Sequence, residues 1–258
     1  MLGWFKRGAR NESDAETVAS AQSTPFHTAE EGLSAPSEKQ ESKGHKGRLA
    51  PSTALTKHQI FYIFVLDGLG GMLLSGGVNF ALAYAMYTSQ NTEKNPIRLF
   101  QLPNTLAGDG AVTIIVQCIM TWFVEMGLVR YDLGNRSVQP IGFIPEPSGL
   151  WTRKLFMLEP EPGSAPDTQV HRSKFITIVQ NALRGFLIAV AGFLLLWPIA
   201  VGVLSTIGEP RGGDYFYSDR WIPQAFKCIL GGLLGLLTTP LMASFWLLKA
   251  GWEAKHGS

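Results

Sequence analysis

From residue 60 onward the chain alternates long apolar runs with shorter polar ones. Four runs stand out, near residues 60–87, 110–130, 185–207 and 228–248. Each reaches the roughly 20 helical residues that a ~30 Å hydrocarbon layer requires at ~1.5 Å per residue. A helix of a soluble bundle would show a polar face every three or four positions, and "GFLIAVAGFLLLWPIAVGVL" (Gly185–Leu204) has none. Nor do the runs alternate polar and apolar residues as barrel strands do. The pattern predicts an all-α polytopic membrane protein in which four transmembrane helices form a bundle over residues 58–252. Residues 1–57 are poor in apolar runs and rich in Ser, Glu, Ala, Lys and Gln, which predicts a disordered tail. A loop over 131–184 contains the flexible link Glu159–Gln169, and 253–258 form a short C-terminal end. Pro198 and Pro240 fall inside predicted helices and are expected to bend them.

The first run holds a finer pattern. Asp67, Gly71, Ser75, Asn79 and Ala83 follow one another at intervals of four, so they form one slowly winding stripe of small and polar side chains. Small residues let helix backbones approach, and polar ones bond across the contact. The stripe therefore marks the protein-facing side of the first helix. Gly231 and Gly235 make a second small-residue face in the fourth. The glycines at 68–77 do not complete a nucleotide-binding loop, because Leu73 stands where the last glycine is required and no strand precedes it.

Three charged residues then demand an account. Asp67 lies inside the first run, Glu125 near the end of the second and Arg184 at the start of the third. With the helices antiparallel, the three share a depth, and a cluster of Asp67, Glu125 and Arg184 would reduce the desolvation cost by pairing. Asn79 and Gln117 would extend that polar cluster further along the bundle. An embedded ionisable residue is a functional candidate by default; the bland alternative is that Arg184 neutralises a carboxylate and fixes helix register.

Charge sets the orientation. Of the 22 Lys and Arg residues, 8 lie in residues 1–57 and 7 in 130–184, against 2 each in 88–109 and 208–223. The positive-inside rule then places both termini and the long loop in the cytoplasm. The sequons at Asn11 and Asn135 would thus remain unglycosylated. Only 16% of residues are charged, below the ~25% usual for a globular domain. No signal peptide or lipidation motif is recognisable in the first residues. "PIRLFQLPNTLAGDG" (96–110) is expected as an interfacial re-entry segment and "EPRGGDYFYSDRWIPQ" (209–224) as an aromatic interfacial loop. Cys118 and Cys228 fall inside spans, and the five histidines have no ligand-like companions. No nucleophile stands with a paired base. The residues imply no catalytic site, metal, cofactor or nucleic-acid partner; the expected partners are the lipid bilayer and other transmembrane helices.

Several strings together, "DGLGGMLLSGGVNFALAYAMY", "PIRLFQLPNTLAGDGAVTIIVQC", "QPIGF", "RGGDYFY" and "GLLGLLTTPLMASFWLLKAGW", resemble a family of uncharacterised fungal integral membrane proteins, a domain of unknown function. The resemblance runs from about Thr56 to Trp252. It implies a fungal multi-pass membrane protein and supplies no activity. Two functional readings stand. The first is a non-enzymatic scaffold or assembly subunit that packs through its small-residue helix faces. The second is a small transporter or channel component that uses Asp67.

Overall fold

The computed structural model describes residues 48–91, 94–156, 158 and 174–256. Most of the tail, the sequon at Asn11 and the link Glu159–Gln169 lie outside the described residues. The fold is mostly helical. Four helices are long and apolar enough to cross a membrane: α1 Lys57–Thr88, α2 Leu106–Gly134, α4 Lys174–Ile207 and α5 Ile222–His256. A one-and-a-half-turn helix, α3 (Leu150–Leu155), precedes α4. All four long helices begin before the predicted runs; α2 and α5 also end several residues later, and α1 one residue later. Thr56 starts α1 with a capping box shared with Gln59, and Thr105 caps α2 through Gly108 N–H, each satisfying donors a helix start leaves open.

The helices run antiparallel in succession. One end of the bundle, the near end, carries the starts of α1 and α4 and the ends of α2 and α5; the other is the far end. α5 packs against α1 and α2, and α4 lies mainly against α2. Apolar packing forms three layers. Tyr62, Ile63, Val129, Leu133 and Leu247 fill the near end. Ile114, Cys118, Trp122, Ala189, Leu234 and Met242 fill the middle, and Ala83, Tyr87, Leu99, Leu106, Leu204 and Tyr217 fill the far end. Pro198 and Pro240 both lie within continuous helices.

Two expectations are corrected here. Residues 48–57 do not belong with a disordered tail: Ser52 N–H donates to Pro140 O (2.9 Å), Gly142 N–H donates to Ser52 O (3.1 Å), and Gln59 Nε2 donates to Gln139 O (2.8 Å). Those bonds offset the entropy of ordering the segment. The second concerns the all-helical expectation. Segments 96–110 and 209–224 build a four-stranded sheet at the far end, β1 (Ile97–Arg98), β2 (Asn104–Thr105), β3 (Glu209–Arg211) and β4 (Asp214–Tyr217), in the order β2-β1-β4-β3. β1 pairs with β4 antiparallel, Ile97 opposite Tyr217, and with β2 parallel. Gly212 (φ +60°) and Gly213 (φ +82°) turn β3 into β4, the positive φ pair that a two-residue hairpin requires. Buried Asp214 ties the two segments together, accepting from Phe100 N–H (3.1 Å), Gln101 N–H (3.0 Å) and Tyr215 N–H (2.8 Å).

Candidate functional site

Where α1, α2 and α5 meet, polar side chains line the seam from one end of the bundle to the other. Each helix contributes at intervals of four. On α1 the series is Asp67, Gly71, Ser75, Asn79, Ala83 and Tyr87, and on α2 it is Asp109, Thr113, Gln117, Thr121 and Glu125. On α5 it is Lys227, Gly231, Gly235 and Thr239. The small residues set the spacing. A Cβ on Gly235 would lie 2.7 Å from Gly71 O, and one on Gly71 2.6 Å from Thr239 Oγ1. The α1 and α5 backbones are therefore in contact, an approach that only glycine permits here. Asn79 occupies the space over Gly231.

At the far end the charges are paired. Lys227, only 4% exposed, donates from Nζ to Asp109 Oδ1 (2.7 Å) and to Thr113 Oγ1 (2.6 Å). Tyr87 O–H donates to the other Asp109 oxygen (3.2 Å). Midway, Asn79 Nδ2 donates to Gln117 Oε1 (2.8 Å) and Gln117 Nε2 donates to Gly231 O (2.9 Å). Three helices are joined by that relay.

Towards the near end the pairing stops. Asp67 is 4% exposed and Glu125 5%, yet Asp67 Oδ2 and Glu125 Oε2 have no hydrogen-bond partner among the described residues. Their electrostatic neighbours are acidic: Glu125 lies within reach of Asp67 and Asp132, and Asp67 within reach of Asp132. Tyr62 O–H donates to Asp132 Oδ2 (2.7 Å). From α5, Thr239 Oγ1 donates to the Asp67 carbonyl (2.8 Å), and the Pro240 ring lies 3.3 Å from where a Gly68 Cβ would be. The backbone is unusual at this level. Residues Phe61–Leu69 of α1 are wound as a π-helix, in which Gly70 N–H reaches back five residues to Val65 O; such segments are rare and recur at functional sites.

The sequence-derived cluster is thus divided. Asp67 and Glu125 share the near end, and Asn79 and Gln117 bond to each other in the middle. Gly71, Ser75, Ala83, Gly231 and Gly235 lie along the same seam. Arg184 does not join them. Its Nε donates to Leu155 O (2.6 Å) and its Nη2 to Lys154 O (2.8 Å), so it serves the open C-terminal carbonyls of α3. A common depth was the reason for grouping Arg184 with the acids, but depth leaves the direction around the helix axis free. Sequence reasoning also missed Asp109 and Lys227, placed outside or at the mouth of spans, and Tyr62, Tyr87, Thr113, Asp132 and Thr239. The interval of four in "DGAVTIIVQCIMTWFVE" would have revealed the α2 series. Among the described residues no group of three His, Cys, Asp or Glu is placed to hold a metal ion.

Comparison with known proteins finds kin without a known role. A family described as "Protein of unknown function (DUF2456)" matches residues 164–247. An uncharacterised protein of Schizosaccharomyces pombe is 36% identical over 199 residues, covering 75% of this chain and 38% of that protein. An uncharacterised protein of Saccharomyces cerevisiae is 30% identical over 239 aligned residues, covering 70% of this chain and 75% of the relative. The match therefore spans well under half of the fission yeast protein. No solved structure matches.

Proposed function

We propose, from the premise that this chain belongs to that family of uncharacterised fungal proteins, that it is a four-span integral membrane protein acting as a small cation transporter or channel component. The near end faces the cytoplasm. Length and apolar character of the four helices support the spans. The surplus of Lys and Arg at the near end, among them Lys57, Arg130, Arg136, Lys174, Lys249 and Lys255, supports the orientation.

One observation carries the functional reading: two carboxylates are buried in the helix seam, each with an oxygen lacking a partner. An ionised carboxylate at depth costs ~2.5 kcal/mol or far more. The structural explanation required a cation beside them, and Arg184 is engaged elsewhere. Acids kept at that cost, each with an oxygen left unpartnered among the described residues, are suited to an exchangeable partner. Reconstitution into liposomes tests this. Proton, sodium and potassium movements are each measured for wild type and for Asp67→Asn with Glu125→Gln. At least one cation should move, and the double change should stop it; a chain that moves none of the three refutes the reading.

The scaffold reading keeps one observation of its own. On α1, a Cβ at Gly70 or Gly77 would meet nothing within 4 Å, and the neighbouring Leu73 and Leu74 are exposed, leaving room for another helix. If Gly70→Leu dissolves a native complex without changing flux, that face serves assembly.

A further inference from the structure

We propose that the cation handled by Asp67 and Glu125 is the proton, reached from the near end through Asp132 and Tyr62 and held back from the far end by Lys227. This rests on the cation reading above and specifies its substrate and its sidedness.

The dimensions of the seam favour the smallest cation. At Gly71 and Gly235 the α1 and α5 backbones touch, and Asn79 fills the space beside Gly231, so a hydrated ion has no passage there. A proton needs none, because it moves between groups that donate and accept hydrogen bonds. Such groups recur along the seam: Tyr62 with Asp132, the pair Asp67 and Glu125, then Asn79 with Gln117, then Thr113 with Lys227 and Asp109. Each buried acid has one oxygen without a hydrogen-bond partner, the place a proton would occupy. The titratable groups facing Asp67 and Glu125 are one another, Asp132 and Tyr62, while α5 contributes Thr239 and Pro240.

Access differs at the two ends. Asp132 is partly exposed at the near end and accepts the Tyr62 hydroxyl, and both groups lie within electrostatic reach of the buried acids. At the far end the Lys227 ammonium lies in the seam itself, fixed by Asp109 and Thr113. Thr239 and Lys227 are 12 residues apart on α5, about 18 Å by helical rise. A proton approaching along the seam would meet there an ammonium whose charge is offset by Asp109 and which, being donor-only, offers no site to accept it.

Proteoliposomes containing a pH-sensitive dye, energised with a potassium diffusion potential, test the assignment. Proton uptake should depend on Asp67 and Glu125. Replacing the far-end pair with neutral groups (Asp109→Asn with Lys227→Met) should speed it about tenfold or more, since each ~1.4 kcal/mol of barrier removed is a factor of ten. Sodium or potassium flux that needs Asp67, without proton movement in either protein, overturns the proton and leaves the cation reading standing. Absence of any Asp67-dependent cation movement overturns both. Proton uptake unchanged in the double variant overturns the far-end barrier. Should that variant not fold, dicyclohexylcarbodiimide provides a test on wild type. The reagent adds across a protonated carboxyl to leave an N-acylurea. An adduct on Asp67 or Glu125 that sodium and potassium do not suppress supports the proton, and suppression or absence of the adduct overturns it.

Discussion

Neutralising one member of the Lys227–Asp109 pair should be among the most damaging single changes in the chain. The side chains are 6% and 14% exposed, and Nζ and Oδ1 are 2.7 Å apart. Asp109→Asn leaves the ammonium buried without its counter-charge, with only neutral oxygens, the new amide's and Thr113's, to accept from it; Lys227→Met leaves the carboxylate with the Tyr87 hydroxyl. Removing one partner of a buried pair costs about 3–5 kcal/mol, whereas replacing both is often near neutral. At roughly 2–4 °C per kcal/mol for a chain of this size, each single change should lower the melting temperature in detergent by on the order of 6–20 °C. The double variant should recover most of the loss. Asp67→Asn with Arg184→Gln is the matched control. Those residues have separate surroundings, so their effects should add to within ~0.5 kcal/mol. Additive losses at Lys227 and Asp109 would refute the far-end pairing. Coupling between Asp67 and Arg184 would refute the separation of Arg184 from the acids.

Asp67→Asn or Glu125→Gln alone should hold or raise the melting temperature, because an amide of the same shape carries no charge to desolvate; a large loss would show that the charge serves folding. Gly235→Val should cost at least ~1–3 kcal/mol by overpacking, since its Cβ would press on Gly71 O, and melting in detergent would show the loss. Asp214→Ala should cost about 3 kcal/mol, because it strips three backbone N–H groups of a charged acceptor, and should make residues 99–103 more open to limited proteolysis. Burial, helped by Asp214 and Tyr215, raises the Tyr217 hydroxyl to about 12. The unfolded chain therefore loses that proton first, and stability falls between about pH 10 and 12. Tyr217→Phe should flatten that part of the pH–melting curve, and an unchanged curve would contradict the burial.

The four long helices were legible because run length alone separates them from the alternatives. Their ends were not. Asp109 and Lys227 each interrupt an apolar count, and their bond crosses 118 residues, so nothing local marks either charge as satisfied within a helix. The far-end sheet escaped for a different reason. Strands of two to four residues are too short to show period-two alternation, although the Gly-Gly pair in "RGGDYFY" is a hairpin signal by its backbone requirement. Within the seam, the α1 stripe was visible because small residues among large ones contrast strongly. The α2 series mixes Asp, Thr, Gln and Glu with bulky neighbours, and only its spacing identifies it. The assignment of Arg184 shows the limit of reasoning by depth. Two groups on different helices meet only if both turn the same way, and hydropathy carries no record of that.

The π-wound stretch of α1 also bears on how this helix can change length. Above Asp67 the seam positions advance by four, so one residue added or removed there would swing the side chains beyond it by ~100°. Between Tyr62 and Asp67 the step is five, and both side chains are buried. In an α-helix a step of five would turn them ~140° apart; the wider winding reconciles the two. Phe61–Leu69 thus carries the equivalent of one surplus residue. Loss of one position between Ile63 and Leu66 could be absorbed by tightening this stretch into ordinary α-helix, with Tyr62 then one α-helical turn from Asp67. Elsewhere along the seam α1 has no such slack.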